Sequence, residues 1–224
     1  MWGAQRIALC ALNDISIEAK VNEMAEQGIP CITFNSDLPE SRRLCFVGQD
    51  YAKSGRIAAE LLSKCIPQDS RVLAMVGNME YNGHRTRLDG FCERMRECGF
   101  ETGQIEIVET YNDYRRTYNK VSEALQRMSG LRAIYMANRS VTGCVDAVKA
   151  AGMAGKIRVI AHDMSPRRKT MLREGSLDLT ITQDLYRQGY QPLQLLCDLL
   201  QKQEQPATDQ QSASISIICA ENMD

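Results

Sequence analysis

The chain has 224 residues, 44% of them hydrophobic and 25% charged, which suits one large globular domain or two small lobes. Its formal net charge of −1 supplies no field for nucleic acid, and basic runs such as Arg167-Arg168-Lys169 read as solvated helix faces. No apolar run reaches the length needed to span a membrane.

In chain order, short apolar runs with β-branched residues alternate with longer stretches of helical period. Residues 6–12 read as a strand and 15–27 as a helix ended by Gly28. Gly28-Ile29-Pro30 turns into a short buried strand over 31–34, and 44–47 is another. Residues 52–64 place Ile57, Ala58, Leu61 and Leu62 on one helix face. The unit then repeats, with strands over 71–76, 105–110, 132–136, 158–161 and 179–182. Helices follow them over 82–97, 114–128, 141–151, 166–174 and 188–203. Residues 205–213 are polar and read as a loop before a last strand over 214–219. This alternation predicts an α/β fold of parallel sheets flanked by helices. Right-handed crossovers put the strand-to-helix loops on the carboxyl edge, where such folds bind ligands.

The loops carry polar groups. Asn35, Ser36 and Asp37 follow the 31–34 strand, and His84 and Arg85 follow 71–76. Asn112 and Asp113, Asn138 and Arg139, His162 and Asp163, then Gln183 and Asp184 follow the later strands. The set suits a polyhydroxylated ligand: a carboxylate accepts from vicinal hydroxyls, an amide both donates and accepts, and a guanidinium is a fork of donors. Each position alone serves equally well as a helix cap or turn residue. Their repetition at one edge is what favours a site. No phosphate-binding glycine loop or nucleophile elbow stands at a strand–helix junction. His84, His162 and Asp163 lack the close spacing of metal ligands. The expectation is a binding protein, with no catalytic residues, cofactor or metal.

Nine cysteines, Cys10, Cys31, Cys45, Cys65, Cys92, Cys98, Cys144, Cys197 and Cys219, give an odd count with no CxxC pair. Most lie in apolar patterns and read as free, buried thiols of a reducing cytoplasm. The start, Met1-Trp2-Gly3-Ala4-Gln5-Arg6, has no basic region followed by a long apolar one, so it does not read as a signal peptide.

Several motifs carry a resemblance. Gly28-Ile29-Pro30-Cys31-Ile32-Thr33-Phe34-Asn35-Ser36-Asp37 resembles the LacI/GalR and ribose-binding-protein pattern of an apolar strand and a ligand-binding turn. Phe46-Val47-Gly48-Gln49-Asp50 with Ser54-Gly55-Arg56-Ile57-Ala58-Ala59 is similar to that family's first hinge and the helix after it. Val76-Gly77, His84-Arg85-Thr86-Arg87-Leu88-Asp89-Gly90-Phe91, Ala137-Asn138 and Val159-Ile160-Ala161-His162-Asp163 resemble further binding turns. Thr180-Ile181-Thr182-Gln183 and Arg187-Gln188-Gly189 resemble its second hinge.

The resemblance implies roles. Asn35 stands where relatives often have a hydroxyl-binding aspartate, and Arg85 matches a ligand-binding arginine at a helix start. Asn138 and Asp163 match hydroxyl binders, Gln183 a hinge glutamine, and His162 an aromatic that stacks on sugar. Asp113 and His84 complete the expected ligand-binding set. Arg139 replaces a common acidic residue, and either an anionic ligand group or a neighbouring carboxylate would suit it. Tyr111 or Tyr114 would form an aromatic wall or simply pack. The implied fold is two-lobed and periplasmic-binding-protein-like. Residues 1–49 plus 184–210 would form an N-terminal lobe, incomplete at its start, and 50–183 plus 211–224 a C-terminal lobe, with cleft and hinges between them. Two further strand–helix units and a helix-turn-helix headpiece, which such regulators carry upstream, are not in this sequence.

The expected function is the sugar-responsive effector domain of a LacI-type transcription regulator. It would be cytoplasmic and homodimeric, reaching DNA only through such a headpiece and touching no membrane. The alternative is the substrate-binding protein of a sugar transporter or chemoreceptor.

Overall fold

The computed structural model describes residues 5–223. Residues 1–4, which carry most of the start that does not read as a signal peptide, lie outside the described residues. The chain divides into two compact units: Met1–Asp50, Tyr81–Gly83 and Gln183–Ile215 form the first, and Tyr51–Glu80, His84–Thr182 and Ser216–Asp224 the second.

The first unit is built on a parallel sheet of β1 (Ile7–Leu9), β2 (Cys31–Phe34), β3 (Cys45–Gly48) and β9 (Gln210–Ser212), in that spatial order. Helix α1 (Ile15–Glu26) begins at Asp14, whose carboxylate accepts from the Ser16 N–H at 2.8 Å. It buries Val21 in a cluster with Cys31 and Leu38. Helix α7 (Leu185–Lys202) packs on β1, β2 and β3, setting Leu195 and Leu196 against Ile32, Cys45 and Val47. Its other side carries Tyr186, Tyr190, Leu193, Cys197 and Leu200 at helical spacing, all exposed.

Residues 205–213 are not wholly loop. Gln210–Ser212 pairs with β3, and the Phe46 N–H donates to the Asp209 carbonyl at 2.8 Å. A polar three-residue edge strand offers no hydrophobic alternation to read; backbone pairing forms it. Arg43 anchors it from below. Its Nε and Nη2 grip the Asp37 carboxylate at 2.5 and 2.8 Å, while Nη1 lies 2.6 Å from Asp209.

In the second unit the sheet order is β10-β8-β7-β6-β4-β5. These strands are β4 (Arg71–Val76), β5 (Ile105–Glu109), β6 (Leu131–Ala137), β7 (Arg158–His162), β8 (Leu179–Gln183) and β10 (Ile215–Ile218). The run from β5 through β4, β6 and β7 to β8 is parallel throughout. Strand residues alternate between faces. Leu73, Met75, Ile134, Met136, Val159 and Ala161 join one core with side chains from α4 (Tyr114–Arg127), α5 (Val141–Ala150) and α6 (Pro166–Arg173). The opposite face, with Tyr135, Ile160 and His162, meets α2 (Tyr51–Cys65) and α3 (Asn82–Glu97), and Phe91 of α3 stacks on Tyr135 at 4.1 Å.

Helices α2 and α3 touch backbone to backbone. A Cβ on Gly55 would lie 1.9 Å from the Arg87 carbonyl oxygen, and one on Gly90 would lie 2.3 Å from that of Ala52. Only glycine permits this approach, and it fixes where Arg87 stands.

Candidate functional site

The carboxyl edge of the second unit's sheet gathers most of the groups singled out in the sequence. After β4, Gly77 leaves room for two of its neighbours: a Cβ there would lie 2.6 Å from His84 Cε1 and 2.9 Å from Asn112 Nδ2. The Asn78 N–H donates to His84 Nδ1 at 3.2 Å, and burial holds the imidazole pKa below its ordinary value. After β5, Tyr111 and Asn112 take φ of 52° and 58°, a left-handed turn. Asp113 then caps α4, accepting from the Arg116 N–H at 2.7 Å. Tyr111 is exposed beneath the Arg116 guanidinium, and the Tyr114 hydroxyl donates to Asp146 at 2.9 Å.

After β6, Asn138 is buried. Its Nδ2 donates to Thr110 Oγ1 at 2.9 Å, and its Oδ1 accepts from the Ser140 N–H at 3.0 Å. An amide has four hydrogen-bonding positions, so these two leave capacity for a ligand. Arg139 is exposed, and its N–H donates to Asn112 Oδ1 at 3.0 Å. After β7, Asp163 adopts φ of 64°. Its backbone is pinned on both sides: the N–H donates to the Ile181 carbonyl at 2.9 Å, and the carbonyl accepts from Thr180 Oγ1 at 2.7 Å.

His162 is 1% exposed, and its Nε2 lies 2.8 Å from the Tyr135 hydroxyl. Burial, with Arg87 and Arg168 adding to it, holds this imidazole well below its ordinary pKa and neutral. Burial lowers the pKa of Arg168 too, though a guanidinium stays charged. One Arg168 nitrogen donates to the Arg139 carbonyl at 3.3 Å.

The arginines of α3 divide. Arg85 is exposed. Arg87 is buried, its Nε donating to Ser54 Oγ at 3.3 Å and its guanidinium standing 4.9 Å over the Tyr51 ring. Sequence reasoning passed over Arg87, although Phe91, four residues on, marks the same buried face.

Asn35 and Gln183 belong to the first unit. Asn35, at φ 58°, donates from Nδ2 to Gln188 Oε1 at 3.1 Å, and Gln188 Nε2 donates to Gln183 Oε1 at 2.9 Å. Gln188 was read only as part of a hinge motif, though a polar residue on the apolar face of α7 is the signal that marks it. Among the described residues no group of three or more His, Cys, Asp or Glu is placed to hold a metal ion.

Known proteins share this architecture. Residues 3–204 match the profile of the periplasmic binding protein domain. The D-ribose/D-allose-binding protein of Pseudomonas aeruginosa is 30% identical over 157 residues, covering 69% of this chain and 48% of that protein. The D-allose-binding periplasmic protein of Escherichia coli is 24% identical, covering 86% of this chain and 64% of that protein. The chain thus spans between about half and two thirds of the length of the curated relatives it matches. Among solved structures, a solute binding protein of Burkholderia graminis in complex with D-arabinose superposes with a TM-score of 0.87 at 21% identity, over 97% of this chain and 76% of that one. A glucose-galactose binding protein from Geobacillus stearothermophilus gives 0.85, also at 21% identity, with the same coverage.

These matches correct two expectations. The transcription-regulator reading, with its DNA partner, gives way because the named relatives are sugar-binding proteins, some named for import or the periplasm. The motifs that suggested a regulator build strand ends and the turns after them, and the resemblance they carried was to LacI/GalR and ribose-binding proteins alike. The homodimer rested on that reading and loses its ground. The cytoplasmic placement falls to the same finding. It leaned on unpaired cysteines. All nine are indeed free, but Cys31, Cys45 and Cys144 are simply buried small hydrophobes, and packing of that kind does not report a compartment.

Proposed function

The chain belongs to the periplasmic binding protein domain family, and from that premise we propose that it binds a small sugar, a pentose or hexose, without transforming it. The observation that carries this is the second unit's carboxyl edge. There Asn138 and Asp163 close adjacent strands, the buried Arg87 is fixed by the α2–α3 crossing, and left-handed turns aim short polar side chains off the sheet. Asp163 would accept from sugar hydroxyls, Asn138 would both donate and accept, and Arg87 would donate. His84, His162 and Asp113 stand at the same edge, with Asp113 engaged as a cap. Arg85 is the weakest member of the set because it is exposed. On the first unit, Asn35 and Gln183, joined through Gln188, are the proposed contacts. Relatives named for ribose import support a role in handing the sugar to a membrane transporter.

A thermal-shift screen over D-ribose, D-allose, D-arabinose, D-xylose, D-glucose and D-galactose tests the reading. A ligand at a hundred times its Kd adds about 2.7 kcal/mol to stability and raises Tm accordingly. Asp163→Ala should weaken calorimetric binding of the best sugar by about 1.5–3 kcal/mol, the range for a charge-assisted hydrogen bond. If no sugar moves Tm, sugar binding is excluded; if Asp163→Ala binds as tightly as the parent, Asp163 is a turn residue alone.

A further inference from the structure

One buried polar atom at the second unit's edge has no partner. Tyr135 and His162 are both essentially sealed from solvent, their rings edge to face at 5.6 Å, with the hydroxyl 2.8 Å from Nε2. Phe91 clamps the Tyr135 ring from the other side. Among the described residues, His162 Nε2 is the one partner of the hydroxyl, and His162 Nδ1 has none.

The pair has two proton arrangements. If Nε2–H donated to the phenol oxygen, the phenol hydrogen would lack an acceptor and the Nδ1 lone pair would lack a donor. If the phenol donates to Nε2, only Nδ1–H is orphaned. An unmet buried polar group is costly, so the second arrangement prevails. Tyr135 thereby sets the imidazole tautomer and leaves a neutral donor at the end of β7, next to Asp163.

We propose that His162 is a specificity-determining residue: Tyr135 locks its Nδ1-protonated tautomer, and Nδ1–H donates to an acceptor oxygen of the bound sugar. This rests on the sugar-binding reading. A position that presents an N–H rejects a sugar lacking oxygen there, because the orphan stays unmet, whereas an apolar ring would be indifferent. His162 thus selects for an oxygen at one ring position.

The test uses the full chain, D-ribose, D-allose and D-arabinose, and the monodeoxy analogues of whichever binds. Nitrogen-15 NMR of the wild-type protein should show a protonated Nδ1 and an accepting Nε2, with that preference weakened in Tyr135→Phe. Calorimetry should show one monodeoxy analogue binding about tenfold or more weaker than its parent, as for a lost hydrogen bond. The double variant Tyr135→Phe/His162→Phe, which removes both polar atoms and leaves no orphan, should bring that ratio close to one. An Nε2-protonated wild-type histidine overturns the lock. Sugars that bind with an unchanged parent-to-deoxy ratio in the double variant overturn the donation, as would an Nδ1 satisfied by water alone. If no sugar binds the wild type, the sugar reading itself fails, and the donation to sugar fails with it.

Discussion

Arg85 and Arg87 differ by two positions on α3, and a helix turns them to nearly opposite sides. Arg85→Met should change unfolding free energy in urea by no more than about 0.5 kcal/mol, as at most exposed sites, and leave sugar affinity intact. Arg87→Met should lower affinity at least about tenfold, the loss of one hydrogen bond to a charged donor; an Arg87→Met protein that binds sugar as tightly as the parent would show that Arg87 does not meet it. Arg43 gives a second contrast, because its side chain is 5% exposed while the Asp37 and Asp209 side chains are 16% and 76% exposed. Asp37→Ala removes the two-pronged partner of a buried guanidinium but leaves Asp209, and should cost about 1.5–3 kcal/mol by urea titration, whereas Asp209→Ala should cost about 1 kcal/mol or less. That short polar residues stand just past the strand ends could be read from the chain, and Asn138 and Asp163 do follow β6 and β7. Which of Arg85 and Arg87 is buried could not, because it depends on the rotation of α3, which the Gly55–Arg87 and Gly90–Ala52 contacts set. The Tyr135–His162 bond was equally hidden, since it depends on the register in which β7 pairs with β6.

Helices α2 and α3 are also linked on their outer side. Arg56 meets Glu93 and Glu97, Arg94 meets Glu60 and Glu97, and Lys64 meets Glu60. Hydrogen bonds from Lys64 and Arg94 hold Glu60 down to about 2, and those from Arg56 and Arg94 do the same for Glu97. Both carboxylates are therefore depressed in the folded chain relative to the unfolded one. Their contribution is complete above the ordinary carboxylate range and is lost as pH falls toward about 2. Tm of the wild type should drop more steeply between pH 5 and 2.5 than that of Arg94→Met, and high salt should shrink the difference because the network is exposed. Identical slopes would mean the network does not couple to folding. At this scale the alternation of strands and helices was plain in the sequence, because buried parallel strands read as continuous apolar runs. Strand β9 was not, because Gln210-Gln211-Ser212 pairs through backbone and Arg43 supplies its anchor from elsewhere in the chain.

Across the whole molecule the cores are unequal. In the second unit, β4 and β6 are buried on both faces between helices. In the first, α1 buries Val21 alone among its residues, and α7 leaves an apolar stripe outside. Stability should be distributed the same way. Amide exchange of β4 and β6 should follow the slowest opening of the chain, with β1 and α1 exchanging sooner; matching protection of α1 and β6 would refute this. The left-handed turns at Asn35, Asn112 and Asp163 carry a consequence for evolutionary drift. Glycine, asparagine and aspartate occupy that backbone region at little cost, and β-branched residues hardly at all. These three positions can therefore exchange among a small polar alphabet without disturbing the fold, while most other single mutations there are purged as strain before any new specificity is tried. On the proposed sugar-binding reading, a lineage changing its ligand would do so through neighbours with ordinary backbone, His162 and Asn138 among them, and a deep mutational scan selected for folding alone should show that narrow alphabet at Asn35, Asn112 and Asp163.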